Sequence, residues 1–500
     1  MNKKRLGNVA VLMVFLGGMI YHSIFGTVRV QVDAPEQTVP QDMTETWKIE
    51  EKQACIDHIL QTGTRDFFMG YPVDESFLWW FTNRFGQETL TNLDTVCGAE
   101  NAEGWTLVSD NSIHALWAMY CNELQFDTPS LERVSFGKHP MGTGEDISLL
   151  FLGDITLAED WCTTDYMDEC ENGLFQSVSM DVMNTLHEAD ITVANHEFVL
   201  SNRGIPTEGK EYIFRGNPTR GQMLTALGID LVSLGNNHVY DHGEIGLLDT
   251  MDNLKAQEVS FVGAGRNIEE AMAPHYYVEG GRKIAFVSGT QIERYIQYTK
   301  EAGVDSPGVL KAKDPEKLCR AIEEAKQNSD YVVVLIHWGT EGYIKEEGSQ
   351  VELAEAFVDA GADLIVGSHP HRMEGVTYIR EVPVIYSLGN FLLSDSDLYT
   401  GIAQVVLHKD GKEDLRLLPA AQKNQKVELL YDSDEVTKFY HYVTECSTGI
   451  AIKKDATIVD ALAQSPDEEQ ILYWSGKKYE NFSGDEDLQG RKIDIVGILQ

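Results

Sequence analysis

Basic residues are scarce: Lys and Arg total 40 against 79 Asp and Glu in 500 residues, a formal net charge of −39. That deficit excludes nucleic-acid binding through a general basic surface, because phosphate affinity rests on Lys and Arg. It also excludes unaided attraction to anionic lipid or to a polyanionic polymer. An anionic substrate would need a local cation, which a bound metal supplies. No C-x-x-C pair occurs, which argues against a thiolate zinc site. No G-x-S-x-G and no P-loop occur, so neither a serine-elbow hydrolase nor a P-loop nucleotidase competes. What is present excludes a wholly disordered chain: 43% of residues are hydrophobic and 9% aromatic. At roughly 150 residues per domain the length allows about three domains, or one large domain with additions.

Lys3, Lys4 and Arg5 precede an uncharged stretch from Leu6 to Thr27. About twenty apolar residues span a hydrocarbon core of ~30 Å, and the positive flank keeps the short N-terminus inside. No A-x-A site and no Cys follow the run. The expectation is an uncleaved signal anchor, residues 1–27, a single pass that leaves the bulk of the chain extracytoplasmic. There are 7 Cys. Cys162 and Cys170 share one short polar segment, and in an oxidising compartment they are the expected disulfide.

Residues 28–46 read as a linker. Residues 47–135 carry helix-like apolar spacing, as in CIDHILQ and FLWWFTNRF, and read as a small helical region with Trp79, Trp80 and His114 as core. From 146 to 420, short apolar runs alternate with amphipathic helices. The strand candidates are ISLLFLG, DITVAN, IDLVSLG, VSFVGA, KIAFVSG, DYVVVLIHW, DLIVGSH, VPVIYSLGN and AQVVLH. Helix ends are marked by Asn217-Pro218, Gly228, Asp314-Pro315, a capping box of Ser349 with Glu352, and Gly361. This alternation predicts an α/β domain. Residues 421–500 are acidic and mixed, and read as a C-terminal appendage.

Polar residues gather at the strand ends. Asp154 follows ISLLFLG, Asn195 and Glu197 follow DITVAN, and Asn236-Asn237-His238 follows IDLVSLG. His337 ends DYVVVLI, and His369 and His371 follow DLIVG. Ligands of open α/β sheets bind beyond the carboxyl ends of the strands. Five segments thus deliver carboxylate, amide and imidazole groups to one edge, a donor set for zinc, manganese, iron or related divalent ions. Each segment alone also reads as a cap, a turn or a core histidine; it is their joint placement that points to a metal. GAGRN (263–267) follows a strand but lacks the full dinucleotide fingerprint.

The ordered set GDIT (153–156), ANHE (194–197), LGNNHVYDHG (234–243), GAGRN (263–267), IHWGTE (336–341), GSHPHR (367–372) and YSLGNF (386–391) resembles the CapA family of bacterial capsule and poly-γ-glutamate synthesis, within the calcineurin-like metallophosphatases. The resemblance covers about residues 146–400. It implies a sandwich of two β-sheets flanked by helices, with a metal site at the strand ends. Carried over by position, Asp154 and His371 would hold a first metal, Glu197 would stand where the bridging carboxylate does, and Asn237, His337 and His369 would hold a second. His238 would contact substrate or leaving group as general acid, with Asp241 its orienter. Two departures stand out: position 156 is Thr where the metallophosphatase has a ligand His, and Gly-Asp is replaced by Ala194-Asn195-His196-Glu197. The first metal therefore lacks one imidazole, which leaves open one ion or two of unequal affinity. The resemblance implies a membrane-anchored protein of capsule polymer biosynthesis or export, with a polyanionic polymer or phosphoester as substrate, a capsule-synthesis membrane complex as partner and no nucleic acid. Two readings follow: a metal-dependent hydrolase, which includes a phosphoesterase unrelated to capsule, and a non-catalytic accessory protein that grips the polymer.

Overall fold

A computed structural model of the chain describes residues 75–96, parts of 105–120, and residues 133–140, 146–292, 298–463 and 471–474. All of these belong to one compact unit, His58–Gln500. Six strands carry the site: β1 (Ile147–Ile155), β2 (Ile191–His196), β3 (Leu231–Ser233), β4 (Tyr331–His337), β5 (Leu364–Ser368) and β6 (Asn390–Leu392). Every strand expected between 146 and 420 forms.

The strands divide between two sheets. In the larger, eleven-stranded sheet β1 lies between β2, parallel to it, and Leu398–Leu407, antiparallel, while β3 and then Ser260–Val262 continue beyond β2 in parallel. β6 pairs with the end of β1. In the seven-stranded sheet Arg282–Thr290, β4, β5 and Val382–Ile385 run parallel in that order. Parallel neighbours need crossover connections, and the helices supply them. Met180–Glu188 lies between β1 and β2, Gly243–Ala256 follows β3, and Gly348–Ala360 joins β4 to β5.

Side-chain alternation along the strands builds the layers. Ile147, Leu149 and Phe151 of β1 join Val333 and Leu335 of β4 and Leu364 and Val366 of β5 in a core between the sheets. The intervening Leu150 and Leu152 face outward, onto Val182, Met183 and Leu186 of a helix. Val332, Val334 and Ile336 of β4 likewise meet Leu318, Ala321, Ile322 and Ala325, one face of helix Glu316–Gln327. Each such aliphatic side chain taken from water stabilises by about 1.5–3 kcal/mol. The result is a mixed α/β fold of two sheets flanked by helices.

Several expectations meet the structure directly. Asn217 caps its helix with Pro218 in the first position, and Gly361 ends another with φ 110°. The capping box is displaced: the helix starts at Gly348, so the reciprocal pair is Glu347 with Gln350, not Ser349 with Glu352. Gln350 Oε1 accepts from Glu347 N at 2.7 Å. Cys162 and Cys170 are free thiols. They occupy the first position and the C-cap of one helix, and eight steps of 1.5 Å separate them by about 12 Å, beyond the ~7 Å a disulfide spans.

The segment after 420 is no appendage in its described part. Ile450–Lys453, Thr457–Asp460 and Ile471–Trp474 extend the larger sheet past Glu413–Lys423, and Phe439, Tyr440 and Val443 of helix Ser433–Cys446 enter the inter-sheet core. In the N-terminal region, helices Glu75–Phe85 and Gln87–Val96 form as expected, and Phe77 and Trp80 pack on Tyr120 with ring centroids 5.2 and 5.5 Å apart. Val134–Phe136, however, is an edge strand of the smaller sheet. Residues 1–46, the side chain of Trp79 and His114 lie outside the described residues. Among the described residues no helix is long and apolar enough to cross a membrane.

One contact sets how closely β1 meets the loop before β6. A Cβ on Gly153 would sit 1.9 Å from the Gly389 carbonyl oxygen, and Asp154 N donates to that same oxygen at 2.9 Å. Gly153→Ala is therefore expected to force backbone apart and cost about 1–3 kcal/mol, read as a lowered urea midpoint; an unchanged midpoint would refute the close approach.

Candidate metal centre

The parallel registers bring the strand ends together. Asp154 on β1 pairs with Asn195 on β2, and His337 on β4 pairs with Ser368 on β5. Alternation on β2 then sorts ANHE: Asn195 and Glu197 face the cluster, while His196 turns into the core and stacks on Phe198 at 3.9 Å. Burial pushes the His196 imidazole down to about 3, so it is neutral packing. After β5 the chain turns sharply, and His369 (φ 100°) and His371 (φ 54°) both take left-handed backbone, a strain that clusters at functional sites.

The side chains of Asp154 and Glu197 have no exposure to water. Asn195 Nδ2 bridges them, donating to Asp154 Oδ1 at 2.7 Å and to Glu197 Oε2 at 3.3 Å. Asn236 Nδ2 in turn holds Asn195 Oδ1 at 3.1 Å. Burial, and then the neighbouring charge of Asp154, lift the Glu197 carboxyl well above its ordinary range.

The other side of the cluster is imidazole and amide. His337 Nε2 donates to Asn237 Oδ1 at 2.7 Å and lies 3.1 Å from His369 Nδ1. With its proton on Nε2, the neutral ring accepts at Nδ1 from Ser368 Oγ at 2.9 Å. Burial, followed by the charges of the other two imidazoles, holds His337 well below its usual value. His371 Nδ1 lies 2.9 Å from Asn390 Oδ1 on β6 and 3.2 Å from Asp154 Oδ2. Burial alone would lower His371; the charge of Glu197 and the hydrogen bond and charge of Asp154 outweigh it and raise it to about 9.

His238 and Asp241 form an adjoining pair. His238 Nδ1 donates to Asp241 Oδ2 at 2.8 Å, and its Nε2 faces Glu197 Oε1 at 3.7 Å. The Asp241 carboxylate also accepts from Phe214 N at 2.7 Å and is ion-paired with Lys210. Lys210 Nζ donates further to the Asn237 carbonyl at 2.7 Å. Burial lowers the His238 imidazole despite the Asp241 charge, so at neutral pH it carries no charge and its Nε2 is an acceptor.

All eight residues expected from the strand ends and the loop after β3 therefore stand together: Asp154, Glu197, Asn237, His238, Asp241, His337, His369 and His371. A divalent cation fits them. Glu197 Oε1 is a buried oxygen that accepts no hydrogen bond, and Asp154 Oδ2, equally buried, is met only by His371 Nδ1 at 3.2 Å; buried acceptors so poorly satisfied are costly without a partner. Ligand atoms from Asp154, Glu197 and His371 lie within 4.8 Å of one another, as do those from Glu197, His337 and His369. Sequence reasoning did not find Lys210, since a lone Lys in a loop carries no periodic or motif signal; Ser368 and Asn390 lie within GSHPHR and YSLGNF but were given no role there.

Two packed sheets with this donor set at one edge place the protein in the metallophosphatase-like class. Residues 148–395 match the model of the bacterial capsule synthesis protein PGA_cap family. The chain is 30% identical over 279 residues to the PGA biosynthesis protein CapA of Bacillus subtilis (strain 168), which covers 55% of this chain and 71% of that protein. It is 34% identical over 206 residues to the capsule biosynthesis protein CapA of Bacillus anthracis, 38% of this chain and 47% of that one. A probable polyglutamine synthesis accessory protein of Mycobacterium tuberculosis (strain ATCC 25618 / H37Rv) is 29% identical over 237 residues, 46% of this chain and 60% of that one. The chain belongs to the PGA_cap family. A 5'-nucleotidase structure from Candida albicans SC5314 overlaps 61% of this chain and 55% of its own at 10% identity and a TM-score of 0.31, too loose to carry an argument.

Lys210 neutralises a carboxylate that has no water around it. Lys210→Met is expected to cost about 3–5 kcal/mol, the price of an uncompensated buried charge, and adding Asp241→Asn should recover most of it. Urea unfolding of the single and double variants is the check, and equal stability of Lys210→Met and the parent would remove the assignment.

Proposed function

We propose that this protein is a membrane-anchored, extracytoplasmic component of capsule or poly-γ-glutamate assembly that works on its polymer through a metal-lined cleft. The single observation that carries the reading is the pair of buried carboxylates, Asp154 and Glu197, whose Oδ2 and Oε1 face the imidazoles at the strand ends with no donor but His371. The names of the relatives supply the process, and the acidic balance of the chain supplies the reason for a cation. With a formal charge of −39, the protein repels an anionic chain everywhere except where divalent charge is concentrated.

In this reading Asp154, Glu197 and His371 hold one ion, and Glu197, Asn237, His337 and His369 hold another. Manganese, zinc and iron all suit these nitrogen and oxygen donors. A divalent ion held by these residues would supply Lewis acidity, acidifying water and polarising a phosphoryl or amide oxygen. The chain's own residues carry the proton. His238 presents a bare Nε2 to the cluster because Asp241 takes its Nδ1–H, so rather than starting as the general acid the resemblance implies it would first take a proton from the attacking water and then give that proton to the leaving group. Lys210 holds Asp241 in place by an ion pair, and Phe214 packs on the imidazole at 4.5 Å and limits its rotation. Asn195 and Asn236 hold the two carboxylates in register.

The His238–Asp241 pair favours catalysis over a non-catalytic grip, since gripping a polyanion needs no proton carrier. The same pair also serves a metal-dependent phosphoesterase with no link to capsule, and the substrate separates the two. Turnover of a γ-linked glutamate oligomer supports the polymer role; turnover of a generic phosphodiester alone supports the alternative. His369→Ala is expected to lower metal content, measured by elemental mass spectrometry, whereas His238→Ala should keep its metal and lose turnover. Loss of metal in His238→Ala as complete as in His369→Ala would show that the roles are misassigned.

A further inference from the structure

We infer that Glu341 is a further ligand of the cleft, a carboxylate at its outer edge that shares an ion with His369 and His371. The inference rests on the reading of the cleft as a metal site and adds to it a donor from outside the strand ends.

Thr156 is fully buried, and its Oγ1 accepts from Ala158 N at 3.3 Å. It is a short side chain tied to its own backbone and offers the ion no nitrogen. A further donor comes from the other sheet. Glu341 comes four residues after His337, on the loop that leaves β4. Two main-chain hydrogen bonds strap that loop to the turn after β5: Trp338 N donates to Ser368 O at 3.1 Å, and Gly342 N to Pro370 O at 2.8 Å. Gly339 and Gly342, at φ 80° and 82°, give the reversal that lets the loop follow the turn. Glu341 is thereby held beside His369 and His371. One of its carboxylate oxygens, a nitrogen of His369 and a nitrogen of His371 lie within 4.8 Å of one another. Ligands at ~2.2 Å on opposite sides of one cation are ~4.4 Å apart, so three atoms in that spread suit a single ion.

The placement differs from that of the other carboxylates. Asp154 and Glu197 are sealed from water, whereas Glu341 is exposed. It sits at the mouth, where a carboxylate pays little desolvation while it is unligated. A carboxylate is also a harder donor than an imidazole, which moves the outer position toward manganese and away from zinc.

The test uses the full chain purified in detergent, stripped of metal and titrated with manganese chloride by calorimetry, with bound ions counted by mass spectrometry. Because Glu341 is exposed, Glu341→Gln is expected to fold like the parent. The weaker-bound manganese ion should lose at least the ~10–100-fold in affinity that even an outer-sphere partner is worth. Glu341→His should keep the ion and shift the manganese–zinc competition toward zinc. Manganese affinities of Glu341→Gln equal to the parent's would overturn the inference and leave the cleft's reading intact. A parent chain that takes up no ion at all would overturn both.

Discussion

Asp154 and Glu197 are two carboxylates without water around them, joined through one amide, Asn195 Nδ2. Moving a single carboxylate out of water costs several kcal/mol even after relaxation, and two side by side add mutual repulsion. The polar architecture of the strand ends is a response to that cost. Asn195 and Asn236 give their N–H groups inward, the three imidazoles face the carboxylates, and the His238–Asp241–Lys210 chain stands behind. Removing the two acids in thought leaves no reason for the rest to be polar in the middle of a sandwich core.

The fold delivers these groups through backbone geometry as much as through side-chain choice. Parallel strands in register end on one edge, and Gly153 lets β1 approach the Gly389 carbonyl closely enough for Asp154 and Asn390 to share that edge. The turn after β5 holds two histidines in left-handed backbone. Such strain persists only where surrounding structure over-determines it, and here the loop after β4 is strapped to the same turn.

Much of this could be read from the sequence. Near-continuous apolar strands ending in Asp, Asn or His are conspicuous when they recur, which is why Asp154, Glu197, Asn237, His337, His369 and His371 stood out as a set, although each alone also reads as a cap, a turn or a core histidine. Other features left no linear trace. Lys210 meets Asp241 through a loop that folds back 31 positions, and no spacing rule encodes that. The helix between Cys162 and Cys170 hid their separation, since closeness along the chain is not closeness in space when the segment is a rod. The capping box slipped by two residues because Glu347 and Gln350 satisfy the same chemistry as Ser349 and Glu352. The strands after 420 were masked by acidic neighbours, although Ile450 and Ile452 alternate into the core.

The donors are divided between the layers. Asp154, Glu197, Asn237 and His238 come from the larger sheet, and His337, His369 and His371 from the smaller. Between the layers, the packing of Leu149, Phe151, Val333 and Leu335 is joined by a few hydrogen bonds, such as Ser233 Oγ with Ser288 Oγ at 2.7 Å and Arg282 Nη2 to the Leu407 carbonyl at 2.6 Å. An ion gripped from both sides would act as a rivet through two plates, fixing their alignment as well as their spacing. Mechanical stiffness of the sandwich and cation concentration would then be thermodynamically linked, and the rigidity of the core would itself be a gauge of that ion's supply.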